Sequence, residues 1–91
     1  MSDKGKAIRA TVSGQVQAVG FREATVRRAG ELGVLGWVRN EDDGTVRVHA
    51  EGPAAAVDEL LAFLGAGPPA ARVEAVEVEP VKVEGHEQFA V

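Results

Sequence analysis

The chain has no cysteine among its 91 residues, which excludes a disulfide scaffold, a thiolate nucleophile and any cysteine-based metal or iron-sulfur site. It has no tyrosine, one tryptophan and three phenylalanines, too few aromatics for the platform on which sheet surfaces stack single-stranded RNA. No apolar run approaches the ~18 residues needed to cross a bilayer, and the polar stretch 1–6 is too short for a signal peptide. A cytoplasmic chain that contacts neither membrane nor nucleic acid is the expectation.

What is present is enough for one domain with a single core of two packed layers. The net charge of -4 hides an asymmetry. Residues 1–40 hold seven Lys or Arg against Asp3, Glu23 and Glu31, a balance of +4, whereas residues 41–91 hold Arg47, Arg72 and Lys82 against eleven acids, a balance of -8. A positive half in an acidic chain can draw in a small anion while the molecule stays soluble.

Periodicity divides the chain. Residues 1–6 are expected to be frayed, with the folded domain spanning 7–91. Ala7 to Ser13 alternates, with Ile8, Ala10 and Val12 on one face, and predicts a strand. Phe21, Thr25, Ala29 and Leu32 fall on one stripe of a helix about 18 Å long, with Gly33 as its left-handed stop. Two further strands, Val34 to Asn40 and Thr45 to Glu51, flank Asp43-Gly44, which supplies the positive-φ residues of a tight hairpin. In the second of these, Val46, Val48 and Ala50 face inward and Arg47, His49 and Glu51 outward, onto a wet face. Pro53 opens a second helix at its first position, Val57, Leu60, Leu61 and Leu64 form its apolar stripe, and Gly65 with Pro68-Pro69 stops it. Val73 to Val83 predicts a strand with a bulge or break at Pro80. Phe89 and Val91 suggest a short closing strand.

The order β-α-β-β-α-β with a short terminal strand predicts an α+β, ferredoxin-like split β-α-β sandwich: an antiparallel sheet with two helices on one face. In that topology the first and second strands run the same way with the third between them. Their C-terminal ends share a rim, about 10 Å apart.

On that rim lies Gly14-Gln15-Val16-Gln17-Ala18-Val19-Gly20-Phe21-Arg22, a loop joining a strand to the start of a helix. Unpaired backbone N–H groups and the positive end of the helix dipole disfavour an arginine there unless an anion offsets it. Amides and a guanidinium together make a phosphate or carboxylate site. Asn40, last in the second strand, shares parity with Val38 and is expected to point toward the side where the first helix begins. The loop has neither the GxxxxGK[ST] nor the GxGxxG order, and the rim offers no serine, cysteine or histidine nucleophile. One cation, several amide donors and one carboxamide suit attack by a positioned water on a phosphoryl group that is already reactive, as in a mixed carboxylic-phosphoric anhydride.

The run Val12 to Arg22, followed by Ala29, Gly33, Gly36-Trp37-Val38-Arg39-Asn40 and Asp43-Gly44-Thr45-Val46, resembles the acylphosphatases from about Ala7 to the C-terminus. The resemblance implies hydrolysis of small acyl phosphates to a carboxylate and inorganic phosphate, without metal or cofactor. It implies that Arg22 binds the phosphate with the amides of Gln15, Val16, Gln17, Ala18, Val19 and Gly20, and that Asn40 holds the attacking water. A monomer is expected. The family pattern usually has glycine where this chain has Ala18. If that position needs positive φ, alanine costs roughly 1 to 2 kcal/mol; if φ is negative, alanine is harmless or stabilising.

Other residues draw blander readings. Gln17 either contacts ligand or pins the loop. Thr25 is read as core-facing or bonded back to its own helix. His49 and His86 are read as surface residues without the clustered partners of a metal site. Glu74, Glu77, Glu79, Glu84 and Glu87 are read as the coat of an edge strand. The rivals to hydrolysis are a non-catalytic phosphate-binding module of the same fold, the related domain inside larger hydrogenase-maturation proteins, for which this chain shows no linker or zinc motif, and an RNA-recognition module, which the acidic balance disfavours.

Overall fold

Apolar alternation and two helical stripes assemble into one sheet covered on one face. A computed structural model describes residues 5–91, in the order β1 Gly5–Gln15, α1 Phe21–Leu32, β2 Leu35–Asn40, β3 Val46–Pro53, α2 Ala54–Ala66, β4 Arg72–Val81 and β5 Phe89–Ala90. The sheet order is β4-β1-β3-β2-β5. β1 pairs antiparallel with β3 and β4, and β2 antiparallel with β3. The sheet is mixed rather than wholly antiparallel, because β5 joins β2 in parallel. This is the α+β, ferredoxin-like arrangement.

Ile8, Ala10 and Val12 of β1, Val38 of β2 and Val46, Val48 and Ala50 of β3 form the buried side of the sheet. Onto them pack Phe21, Thr25 and Ala29 of α1 and Val57, Leu60 and Leu64 of α2. Leu32 and Leu61 are half-buried at the edge of this core. Burying each such aliphatic side chain is worth roughly 1.5 to 3 kcal/mol. Thr25 donates its hydroxyl to the Phe21 carbonyl at 2.8 Å within α1, and Gly33 caps the helix at φ 73°. No helix among the described residues is long and apolar enough to cross a membrane.

Several boundaries differ from the expected ones. The expected fraying at 1–4 lies outside the described residues, but Gly5 and Lys6 already belong to β1, paired with Pro53 and Gly52. The irregularity in β4 is not at Pro80, which pairs in register with Ile8. An edge strand tolerates proline there because one side of it needs no ladder partner. The register shifts instead at Ser13/Gly14, where Ser13 faces Ala75 and Gly14 faces Val73. Glu74 is the extra residue, and the bulge brings both Val73 and Val76 onto the core. Gly14 sits there at φ 125°, where a Cβ would come 2.1 Å from the Arg72 carbonyl oxygen. Val83 and Val91 fall outside the strands and are exposed.

The β2–β3 turn uses positive φ only at Gly44. Asp43 contributes its carboxylate, which accepts from the Thr45 amide and hydroxyl at 3.0 and 2.7 Å. Pro53 caps α2 in an extended conformation rather than beginning it, and α2 runs through Gly65 to Ala66, with Gly67 after it.

Candidate active site

The loop between β1 and α1 is fastened from below by apolar side chains. Val16 and Phe21 are almost wholly buried and Val19 packs against the same core. Between them the backbone turns twice into left-handed conformation, at Ala18 with φ 62° and at Gly20 with φ 77°. Ala18 is the one non-glycine residue with positive φ among those described. The question its sequence left open is thereby answered: the alanine holds the strained conformation.

Gly20 is the N-cap of α1, and no side chain caps the helix. Its carbonyl accepts the Ala24 amide at 3.0 Å, while the first-turn N–H groups are left without a partner inside the helix. The residues of this first turn, Phe21, Arg22 and Glu23, line a cavity of about 260 Å³ together with Val16, Ala18, Gly20 and Asn40. Asn40 reaches it from β2: Val46 of β3 pairs with Val12 on one side and Asn40 on the other. Asn40 has the parity of the buried Val38, so both lie on the helix side of the sheet.

The structure therefore brings Arg22, Asn40, Val16, Ala18 and Gly20 to one cavity. Three other predicted residues take different positions. Gln15 is the last residue of β1, paired with Arg72. Val19 is turned to the core. Gln17 reaches away to the β2–β3 turn, its Nε2 donating to the carbonyl oxygens of Glu41 and Thr45 at 2.8 and 2.9 Å. Of the two readings of Gln17, pinning is the one these contacts support. The Thr45 carbonyl also accepts the Glu41 amide at 2.9 Å, so the residue after Asn40 is held from both sides. Asp43, which closes this turn, has its carboxyl below the usual range because the Thr45 hydroxyl and amide donate to it.

Sequence reasoning overlooked Glu23 in the cavity wall. It also misread the other end of the sheet. His49 and Glu51 are buried, not outward on a wet face, and His86 is half-buried beside them. The segment between β4 and β5 crosses the open face there, because those strands lie on opposite edges. Glu51 accepts from His49 Nε2 at 2.9 Å and from the amides of Glu84, Gly85 and His86 at 2.8 to 3.1 Å. Burial alone would raise its pKa, but these donors outweigh it and bring it to about 2. Glu84 is not edge coating: it binds Arg9 and His86, and His86 together with Arg9 holds its carboxyl below the usual range.

His49, Glu51 and His86 thus cluster, with ligand-type atoms within 4.8 Å of one another. Arg9 Nε donates to His49 Nδ1 at 3.3 Å, which places the neutral ring's proton on Nε2, facing Glu51. The cluster is a hydrogen-bonded clasp on the crossing segment. Its distance from the loop is set by the sheet: Glu51 pairs with Ala7 and Leu35, at the ends of β1 and β2 opposite to Gln15 and Asn40.

A loop after β1 and a carboxamide at the end of β2, on parallel strands with β3 between them, agree with what the chain resembles. The family model Acylphosphatase matches residues 8–91. An acylphosphatase of Salinibacter ruber is 53% identical over 74 residues, 81% of this chain and 78% of that protein. One from Rubrobacter xylanophilus is 55% identical over 80 residues, 88% and 73% of the respective chains. The crystal structure of acylphosphatase from Bacillus subtilis superposes with a TM-score of 0.92 at 36% identity, covering 94% of this chain and 97% of that one. Family match, sequence identity and shared fold each extend over most of the chain, and the chain belongs to the acylphosphatase family.

Proposed function

We propose that the cavity at the start of α1 hydrolyses acyl phosphates, with Arg22 and the loop amides holding the phosphoryl group and Asn40 orienting the attacking water. The observation that carries this reading is that Arg22 and Asn40, distant in sequence, line one cavity together with the uncapped first turn of a helix. Oriented N–H groups and a guanidinium stabilise charge spread over the equatorial phosphoryl oxygens without reorganising during the reaction.

The water oxygen forms a bond to phosphorus as the bond from phosphorus to the acyl oxygen breaks. The departing oxygen keeps the bonding electrons and leaves as a carboxylate. The proton lost by the water passes to a phosphoryl oxygen, giving inorganic phosphate. A carboxylate is a good leaving group, so the reading needs no strong base and uses no metal or cofactor. Asn40 contributes orientation: its carboxamide oxygen accepts from the water and directs a lone pair at phosphorus.

The test is turnover of acetyl and benzoyl phosphate, with inorganic phosphate as a competitive inhibitor, by the parent chain, Arg22→Ala and Asn40→Ala. Each substitution is expected to lower kcat/KM on the order of 10² to 10⁴-fold, the range for losing a transition-state donor or a positioned reactant. Phosphate binding without turnover of any acyl phosphate would replace this reading with a binding module. Near-parental activity in both variants would discard the assigned roles.

A further inference from the structure

Glu23 is the one acidic residue on a cavity wall otherwise made of Arg22, Asn40, backbone and apolar groups. It follows Arg22 directly in the first turn of α1, where a negative side chain is favoured by the helix dipole. Arg27 lies four residues further along the same helix, the orientation in which a glutamate and a cation stabilise each other best. Yet among the described residues Glu23 takes part in no ion pair, although Arg28, one residue beyond Arg27, binds both Glu31 and Glu59. Glu23 is exposed and lines the cavity, with no ion-pair partner among the described residues to neutralise its charge.

We infer that Glu23 makes the site select by charge, favouring acyl phosphates whose acyl group is neutral or cationic over those that carry a second anionic group. This rests on the hydrolytic reading above. With the phosphoryl group on Arg22 and the amides, Glu23 is the one other charged residue of the cavity wall. The volume of about 260 Å³ is below that of a pocket for a drug-sized ligand, so an acyl substituent stays within a few ångströms of the wall. At that range a like charge near a protein surface is repelled by enough to change kcat/KM by about 3- to 10-fold. A neutral acyl group feels no such term. The discrimination is exposed to solvent and therefore screened by salt, the Debye length falling from about 10 Å at 0.1 M to 3 Å at 1 M.

The experiment compares kcat/KM for acetyl phosphate and succinyl phosphate in the parent, Glu23→Gln and Glu23→Lys, at low ionic strength and near 1 M salt. The succinyl-to-acetyl ratio is expected to rise about 3- to 10-fold in Glu23→Gln and further in Glu23→Lys, with the differences shrinking at high salt. A ratio unchanged in both variants at low salt overturns the inference. So does an equal loss with both substrates, which would mark Glu23 as a proton acceptor or a structural residue. Calorimetric affinities for acetonylphosphonate and 4-oxo-5-phosphonopentanoate give the same ratio without turnover. A chain that binds the two with Glu23-dependent preference and hydrolyses neither acyl phosphate supports the charge selection and overturns only the hydrolytic reading; binding of neither overturns both.

Discussion

Gln17 spans the rim of the sheet to Thr45, donating from its Nε2 to the Thr45 carbonyl oxygen at 2.9 Å. The loop that lines the cavity is thereby fastened to the turn that follows Asn40. Removing the carboxamide takes one donor from each carbonyl, while the Glu41 carbonyl keeps the Gly44 amide and the Thr45 carbonyl keeps the Glu41 amide. Gln17→Ala is expected to cost about 1 to 2 kcal/mol of stability and, by loosening the spacing between loop and Asn40, to lower kcat/KM by about tenfold or more. Urea unfolding and acetyl phosphate turnover measure the two. A stability loss with parental kinetics would show that the tie supports the fold and not the site.

Ala18 adopts φ 62°, a conformation that costs an L-residue roughly 1 to 2 kcal/mol. Glycine adopts it without that steric cost but loses more entropy on folding. Ala18→Gly is therefore expected to raise unfolding stability by up to about 1 kcal/mol. Because the parent already holds the left-handed conformation, the direction of the loop amides is set in both proteins, and kcat/KM is expected to stay within a few-fold. A large gain in activity on adding the glycine would show instead that the alanine holds an amide away from the phosphate.

Glu51 titrates at about 2 in the folded chain, well below an ordinary glutamate. A depressed folded pKa contributes stability that is present above the unfolded value and is lost as pH falls toward the folded one. Stability should therefore decline as pH drops from about 4.5 toward 2, beginning with release of the segment that Glu51 clasps. Glu51→Gln removes the charge, should flatten that part of the pH profile and should cost roughly 2 kcal/mol or more at neutral pH. Chemical unfolding across pH gives both quantities, and a parallel acid limb in parent and variant would reject the assignment. Trp37 stacks on His49 with ring centroids 5.9 Å apart, so its fluorescence reports the clasp locally.

Much of the fold is legible because burial imposes its period on the residues themselves. Ile8, Ala10 and Val12 recur at every second position and Phe21, Thr25 and Ala29 at every fourth, and the structure buries all six. Glycine and proline were less informative about boundaries. Pro80 stays in the ladder and Gly65 stays in α2, since an edge strand tolerates a missing donor and packing of Leu60 and Leu64 outweighs a modest propensity penalty.

The sequence by itself determined the element order and, through it, that the loop ending in Arg22 and the strand ending in Asn40 share a rim. Local chemistry suffices there: alternation, helix stripes and connection rules are properties of neighbouring residues. Only the tertiary structure decided that Ala18 is left-handed, that Gln17 turns to the β2–β3 hairpin and that Glu23 joins the cavity wall. It alone showed that His49 and Glu51 lie beneath a crossing segment. Each of these depends on which distant backbone comes to lie against the residue, and a side chain's type and spacing do not reveal what will cover it.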